Sequence, residues 1–182
     1  MRAVELHGHR GARWLWPENT LEGFRRTIAL GVDAIELDVA MTTDGVLVVH
    51  HDPALNPDLT RGADGTWLAE PGPLIRDMRA VDLAVFDVGR IRPGSGYAAR
   101  YLEQAAIDGA RIPALTEVFA LPGPVRFNVE TKTFPDRPGL AVDGVTMVRA
   151  VVEAADHAGV AGRLQVQSFD WSGLGWLRRA RP

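Results

Sequence analysis

The sequence predicts a single α/β domain in which a parallel sheet is covered by helices. Two observations carry this prediction. Segments with the apolar pattern of strands alternate along the chain with segments that have the apolar spacing of helices. The 182 residues are 46% hydrophobic and 24% charged, which is typical of one globular domain and not of a disordered or fibrous chain.

Local patterns justify the elements of the first half of the chain. Aliphatic runs between turn residues predict strands, whereas apolar residues three or four positions apart predict helices, as at Leu21, Phe24 and Ile28. The side chain of Asn19 or Thr20 can cap that helix. In chain order, these elements are a strand over 2–9, a helix over 21–30, and strands over 34–39 and 46–50.

The segment 54–112 interrupts this alternation. It is rich in Pro, Gly and Asp, and it is too long for an ordinary connection in a compact domain. We interpret it as an inserted subdomain between the third and fourth strands of one domain over 1–182, with one helix around 74–83. The elements that follow are helices over 114–121, 143–158 and 171–177, and strands over 125–132 and 164–169.

Two predicted strands carry charged residues where a buried parallel strand should be apolar. Because successive strand side chains point to opposite faces, Glu36 and Asp38 share one face of the second strand. Asn128, Glu130 and Lys132 share a face of the fourth strand in the same way. A half-exposed edge strand shows the same alternation, so that alternative stays open. If the two faces converge, the three carboxylates form an oxygen-only site suited to Mg²⁺ or Ca²⁺ and not to zinc.

Histidines stand at the ends of two predicted strands. His9 ends the first strand and His51 follows the third, and the carboxyl ends of strands carry the chemistry in sheets and barrels of this class. Two imidazoles beside a hard cation can act as an acid/base pair, although a lone histidine more often has a structural role. Arg10 and Lys132 add positive charge, and an arginine can hold a phosphate through two hydrogen bonds.

Charge and composition exclude several classes of partner. The net charge of -3 gives no electrostatic reason to expect binding to nucleic acid. With no cysteine, the chain has no disulfide framework, thiolate metal site or cysteine nucleophile. We predict neither a signal peptide nor a membrane-spanning segment. A cytoplasmic location is therefore expected, or a periplasmic or secreted one if a signal peptide has been removed.

Seven motifs, in order and register, resemble the glycerophosphodiester phosphodiesterase family. They cover nearly the whole chain, and the family also carries an insertion after its third strand segment. The motifs are His9-Arg10-Gly11, Pro17-Glu18-Asn19-Thr20, Glu36-Leu37-Asp38, His51-Asp52-Pro53, Ile112-Pro113, Asn128-Val129-Glu130-Thr131-Lys132 and Gln167-Ser168-Phe169.

The resemblance implies a TIM barrel that hydrolyses glycerophosphodiesters to glycerol 3-phosphate and an alcohol, with one Mg²⁺ or Ca²⁺ as cofactor. It also implies that a glycerol hydroxyl attacks phosphorus and that water opens the resulting cyclic phosphate. Gly11 would let the backbone turn without crowding the phosphate. The implied roles are metal ligands for Glu36, Asp38 and Glu130, acid/base catalysis for His9 and His51, phosphate binding for Arg10 and Lys132, and support for Glu18 and Asn19.

The chain is shorter than the resemblance requires. A TIM barrel has eight strands and about 250 residues, and we identify about five strand segments. We therefore expect an incomplete barrel that is weakly stable or forms homo-oligomers. Two other functions remain open. One is another barrel phosphodiesterase, similar to phospholipase D toxins or phosphoinositide-specific lipases, and the other is a truncated, inactive domain that binds a metal or a partner.

Overall fold

The computed structural model describes residues 4–181 and contains a five-stranded sheet. Four strands lie side by side and parallel in the order β1, β2, β4, β5, and β3 pairs only with β2. The sheet is open among the described residues. Residues 2 and 3 of the predicted first strand lie outside them. The strands are β1 (His7–Gly8), β2 (Ala34–Met41), β3 (Leu47–Val49), β4 (Arg126–Thr131) and β5 (Leu164–Gln167).

Five α-helices connect and cover the strands within residues 4–181, with bounds within a few residues of most predictions. Side-chain oxygens cap three of them, from Thr20, Asp143 and Asp170, because the first backbone N–H groups of a helix lack partners within it. No helix over 4–181 is both long and apolar enough to cross a bilayer. The helices are α1 (Leu21–Ala29), α2 (Ala80–Leu83), α3 (Leu115–Phe119), α4 (Gly144–His157) and α5 (Trp171–Ala180).

The alternation along β2 separates an apolar core from a polar centre. Ile35, Leu37 and Val39 are fully buried and pack with side chains of α1, α3 and α4. Glu36 and Asp38 point to the opposite face, as the period of two requires. Every residue of β2 except the last is nevertheless buried, which excludes the half-exposed edge strand. The polar face of β2 is therefore an interior surface.

One strand departs from the predicted parallel sheet. β3 pairs antiparallel with β2, with Val49 opposite Val39 and Leu47 opposite Met41. The connection over 42–46 is a tight turn, and a parallel connection needs a crossover of a dozen residues or more. Because this hairpin reverses the chain, the His50 N–H donates to the Asp38 carbonyl at 3.0 Å. The hairpin thus returns the chain to the polar centre.

The segment 54–112 has little regular structure, and its apolar residues form a second cluster with Ala40 of β2 and Val48 of β3. Leu55, Ile75 and Leu83 are fully buried there. The predicted helix around 74–83 is two short pieces, a 3₁₀ turn over Ile75–Asp77 and α2, because the backbone at Met78 is extended. The extent of the insertion as a separate subdomain stays a prediction.

Candidate functional site

Three carboxylates converge at the polar centre, as the strand alternation predicts. The parallel register of β2 and β4 sets Asp38 opposite Glu130 and Glu36 opposite Asn128. One carboxylate oxygen from each of Glu36, Asp38 and Glu130 lies within 4.8 Å of the others. All three residues are buried, with exposed fractions of 5%, 1% and 7%. Carboxylate oxygens in this number and spacing suit a hard divalent cation.

Two basic side chains border the carboxylates. Lys132 Nζ donates to Glu130 Oε1 at 2.6 Å and lies 3.5 Å from Asp38 Oδ1. Arg10 Nε lies 3.1 Å from Asp38 Oδ2, and the Arg10 backbone N–H donates to Glu36 Oε2 at 2.8 Å. Both basic side chains are close enough to contact an anion bound at the same centre.

The polar centre fits a cation. Burial raises the pKa of Glu36 to about 7, and the neighbouring charges of Asp38 and Glu130 add to this effect. Glu36 Oε1 is buried and accepts no hydrogen bond among the described residues. A buried carboxylate oxygen without a donor is unfavourable unless another group neutralises it. Glu36, Asp38 and Glu130 are therefore residues that could hold a divalent ion.

The loop after β1 is held in an unusual backbone conformation. Arg10, Ala12 and Asn19 have φ angles of 51°, 56° and 56°, a region that costs non-glycine residues about 1–2 kcal/mol. The structure fixes this geometry by hydrogen bonds, since the Asn19 N–H donates to the Arg10 carbonyl at 3.0 Å. Such strain is concentrated at functional sites of proteins.

Packing against α1 also requires a glycine at position 11. Its φ of 73° favours glycine, and a Cβ there would lie 2.9 Å from the ring of Phe24 in α1. Gly11 therefore allows a close approach of the loop to the buried core. The predicted turn at Gly11 is confirmed, and its role beside the phosphate stays a prediction.

His9 stands at the rim of the carboxylate cluster. Its Nε2 lies 3.8 Å from Glu36 Oε2, and its side chain is 56% exposed. Partial burial lowers the pKa of His9, and the positive charges of Arg13 and Arg10 lower it further. A neutral imidazole at the rim can accept a proton at neutral pH.

His51 is oriented by a carboxylate beside it. Its Nδ1 lies 2.6 Å from Asp52 Oδ1, and Asn56 Nδ2 donates to Asp52 Oδ2 at 2.7 Å. Burial opposes ionisation of Asp52, but the hydrogen bonds from His51 and Asn56 lower its pKa to about 2. His51 and Asp52 line a small cavity together with Glu18 and Asn19. The reversed β3 thus brings the second histidine close to the residues around Arg10.

Glu18 and Asn19 contact the residues that the sequence predicts they support. Glu18 Oε1 accepts from Arg10 Nη1 at 2.9 Å. Asn19 Nδ2 donates to Asp38 Oδ2 at 2.9 Å, and Asn19 Oδ1 accepts from the Asp38 N–H at 3.4 Å. Both residues therefore fix the direction of a charged group at the polar centre.

Sequence reasoning assigned no role to three residues that contact this centre. Gln167 Nε2 donates to Glu130 Oε2 at 2.9 Å, and Gln167 Oε1 accepts from Asn128 Nδ2 at 3.1 Å. Both residues belong to motifs of the family resemblance, and their place in those motifs is the sequence feature that indicates a role. The third residue, Tyr97, donates from its hydroxyl to Glu18 Oε2. It lies in the insertion, where no pattern marked it.

Fold and site together define an α/β protein of the TIM-barrel type, with an acidic centre on the polar face of the parallel strands β2 and β4. The sequence profile of the glycerophosphoryl diester phosphodiesterase family matches residues 9–182. The chain therefore belongs to this family, and the predicted resemblance is confirmed.

Individual proteins similar to this chain carry the name of the same family. A glycerophosphodiester phosphodiesterase of Caldanaerobacter subterraneus subsp. tengcongensis is 38% identical over 127 residues, covering 69% of this chain and 44% of the relative. The Bacillus subtilis enzyme of that name is 28% identical over 96% of this chain and 55% of its own length. The crystal structure of a Silicibacter pomeroyi protein described as a glycerophosphoryl diester phosphodiesterase matches with a TM-score of 0.91 and 36% identity, over 99% of this chain and 62% of that one. The chain thus spans between 44% and 62% of the length of these proteins.

Proposed function

We propose that this protein takes part in the hydrolysis of glycerophosphodiesters to glycerol 3-phosphate and an alcohol, with one Mg²⁺ or Ca²⁺ at its centre. The observation that carries the proposal is the buried cluster of Glu36, Asp38 and Glu130, bordered by Arg10 and Lys132. This arrangement suits a phosphate bound between a cation and two basic side chains. The names of the relatives support the substrate class.

Glu36, Asp38 and Glu130 would hold the ion. With Glu18, these carboxylates exceed the charges of Arg10 and Lys132 by two, which matches one divalent cation. When bound, the ion polarises phosphoryl oxygens and offsets the negative charge that develops on them. This also explains why three carboxylates can be buried side by side, since a cation removes their mutual repulsion.

His9 and His51 are the acid/base pair in this proposal. His9 removes the proton from a glycerol hydroxyl while the hydroxyl oxygen bonds to phosphorus. His51 donates a proton to the alcohol oxygen while its bond to phosphorus breaks, which leaves a cyclic glycerophosphate. Water then opens the ring, with His51 as base and His9 as acid. No protein nucleophile is required.

Arg10 and Lys132 act on the phosphate throughout this sequence. Arg10 is held by Glu18 and Asp38, so its guanidinium has a fixed direction before the substrate binds. Lys132 directly follows β4 and provides a single positive charge beside Glu130. Preorganised donors of this kind stabilise charge without reorganisation during the reaction.

A turnover assay tests the proposed function. The protein is incubated with Mg²⁺ or Ca²⁺ and glycerophosphocholine, and glycerol 3-phosphate release is measured. We expect metal-dependent release that Glu130→Gln removes, whereas Glu153→Gln on the exposed face of α4 serves as the matched control. Release from lysophospholipids alone would favour another barrel phosphodiesterase, and no release from either substrate would favour an inactive domain.

A further inference from the structure

A stretch of the insertion, residues 97–105, packs against the loop that follows β1. This contact joins the irregular segment to the part of the chain that carries Arg10 and Glu18. The contacts are a hydrogen bond from Gln104 Nε2 to the Arg13 carbonyl at 2.7 Å, one from the Ala105 N–H to the Leu15 carbonyl at 2.9 Å, and the rings of Trp14 and Tyr101 with centroids 5.8 Å apart.

Tyr97 extends this contact to the phosphate site. Its hydroxyl donates to Glu18 Oε2, while Glu18 Oε1 accepts from Arg10 Nη1 at 2.9 Å. The side chains of Glu18 and Arg10 are only 9% and 10% exposed. Both oxygens of Glu18 are therefore engaged, one by the insertion and one by the guanidinium.

We propose that Tyr97 is a positioning residue of the phosphate site, which holds Glu18 in the orientation that directs the Arg10 guanidinium. This inference rests on the proposed function in taking Arg10 as a phosphate ligand. Through Tyr97, the insertion sets the affinity of the site for phosphate. Tyr97 need not touch the substrate.

The physical basis is the rotational freedom of Arg10. A free arginine side chain has several rotatable bonds, so it loses conformational entropy when it is fixed. Arg10 is already fixed at two edges, Nη1 by Glu18 and Nε beside Asp38. Without the Tyr97 hydroxyl, Glu18 can rotate away from Arg10. The entropy lost when both side chains become ordered then reduces the free energy of phosphate binding.

The neighbouring Tyr101 provides a matched control. Its ring packs on Tyr97 with a centroid distance of 4.9 Å and on Trp14, so the two tyrosines share one aromatic cluster. Over residues 4–181, however, no hydrogen bond joins the Tyr101 hydroxyl to a protein group. Removing either hydroxyl preserves the ring packing, and only Tyr97→Phe removes a contact to Glu18.

The test is calorimetric titration of inorganic phosphate into the Mg²⁺-loaded protein and its Tyr97→Phe and Tyr101→Phe variants. We expect Tyr97→Phe to weaken phosphate binding about tenfold, as for the loss of a hydrogen bond to a charged group, and Tyr101→Phe to change it less than about twofold. In a Glu18→Ala background, Tyr97→Phe should have no further effect. Equal phosphate affinities of the parent and Tyr97→Phe, or a parent that binds no phosphate, would overturn the inference.

Turnover and melting separate this inference from the proposed function and from a structural role. If the parent binds phosphate but releases no glycerol 3-phosphate, the proposed function fails, while a weaker affinity in Tyr97→Phe still supports positioning. If Tyr97→Phe lowers the melting temperature but leaves phosphate affinity intact, the hydroxyl is merely structural and the inference fails. In an active parent, kcat/KM should fall with the phosphate affinity.

Discussion

Replacing Glu36 with Gln should stabilise the metal-free protein at high pH. The folded pKa of Glu36 is about 7, above its ordinary value of 4.5. The protonated side chain therefore contributes its full stability below about pH 4.5, and this contribution is lost as the pH rises through 7. The difference in pKa corresponds to about 3 kcal/mol, most of which is lost between about pH 5 and pH 8. Glutamine keeps the shape of the neutral carboxyl at every pH.

The assay is urea unfolding in the presence of a chelator at about pH 5 and pH 8. We expect the free energy of unfolding of Glu36→Gln, relative to the parent, to rise by about 2 to 3 kcal/mol between these values. Glu153→Gln controls for the loss of one exposed carboxylate and should show no such change. Excess Mg²⁺ should reverse the order at pH 8, because the ion binds the folded parent and loses a ligand in the variant.

A stability difference that is the same at both pH values would refute this reasoning. It would mean that Glu36 titrates in the folded protein as it does in the unfolded chain. Burial would then not destabilise the charged form of Glu36, and the argument that this carboxylate needs a cation would fail. The stability of Glu36→Gln relative to the parent could also rise between pH 5 and pH 8 without any response to Mg²⁺ or Ca²⁺. This result would support the raised pKa of Glu36 and contradict the metal site.

Three further predictions follow from the site and its support. His9→Ala and His51→Ala should each lower turnover of an active parent by about 10²- to 10⁴-fold with little change in the unfolding midpoint. Near-parental rates in both variants would contradict acid/base catalysis and leave both histidines with structural roles. Gln167→Ala should weaken Mg²⁺ binding by about 10- to 100-fold in calorimetry, because a hydrogen bond that orients Glu130, a proposed metal ligand, is lost. Gly11→Ala should lower the free energy of unfolding by about 2 kcal/mol or more, and Gly31→Ala by less, since both have positive φ but only Gly11 faces a clash.

The local patterns of the sequence predicted most elements to within a few residues. The helix α5 forms despite two glycines, and at Gly173 a Cβ would lie 2.4 Å from the Gly144 carbonyl of α4. That glycine allows two helices to approach closely, a reason that only packing reveals. The direction of β3 was predictable in principle, because the turn over 42–45 is too short for a parallel crossover. The apolar pattern of a strand carries no information about its direction, whereas the length of the turn does.

The sequence by itself determined that Glu36 and Asp38 share a face, because the period of two is a property of the backbone of one strand. The register that sets Glu130 against Asp38 was decided by tertiary structure, since pairing depends on which strands become neighbours. The same holds for Tyr97 and Glu18, which lie 79 positions apart in the chain. An irregular insertion lacks the residue periodicity of a helix or strand, so the sequence does not indicate which side chains share a face or make a contact. Its docking on the loop after β1 depends on the packing of whole segments, which no local pattern encodes.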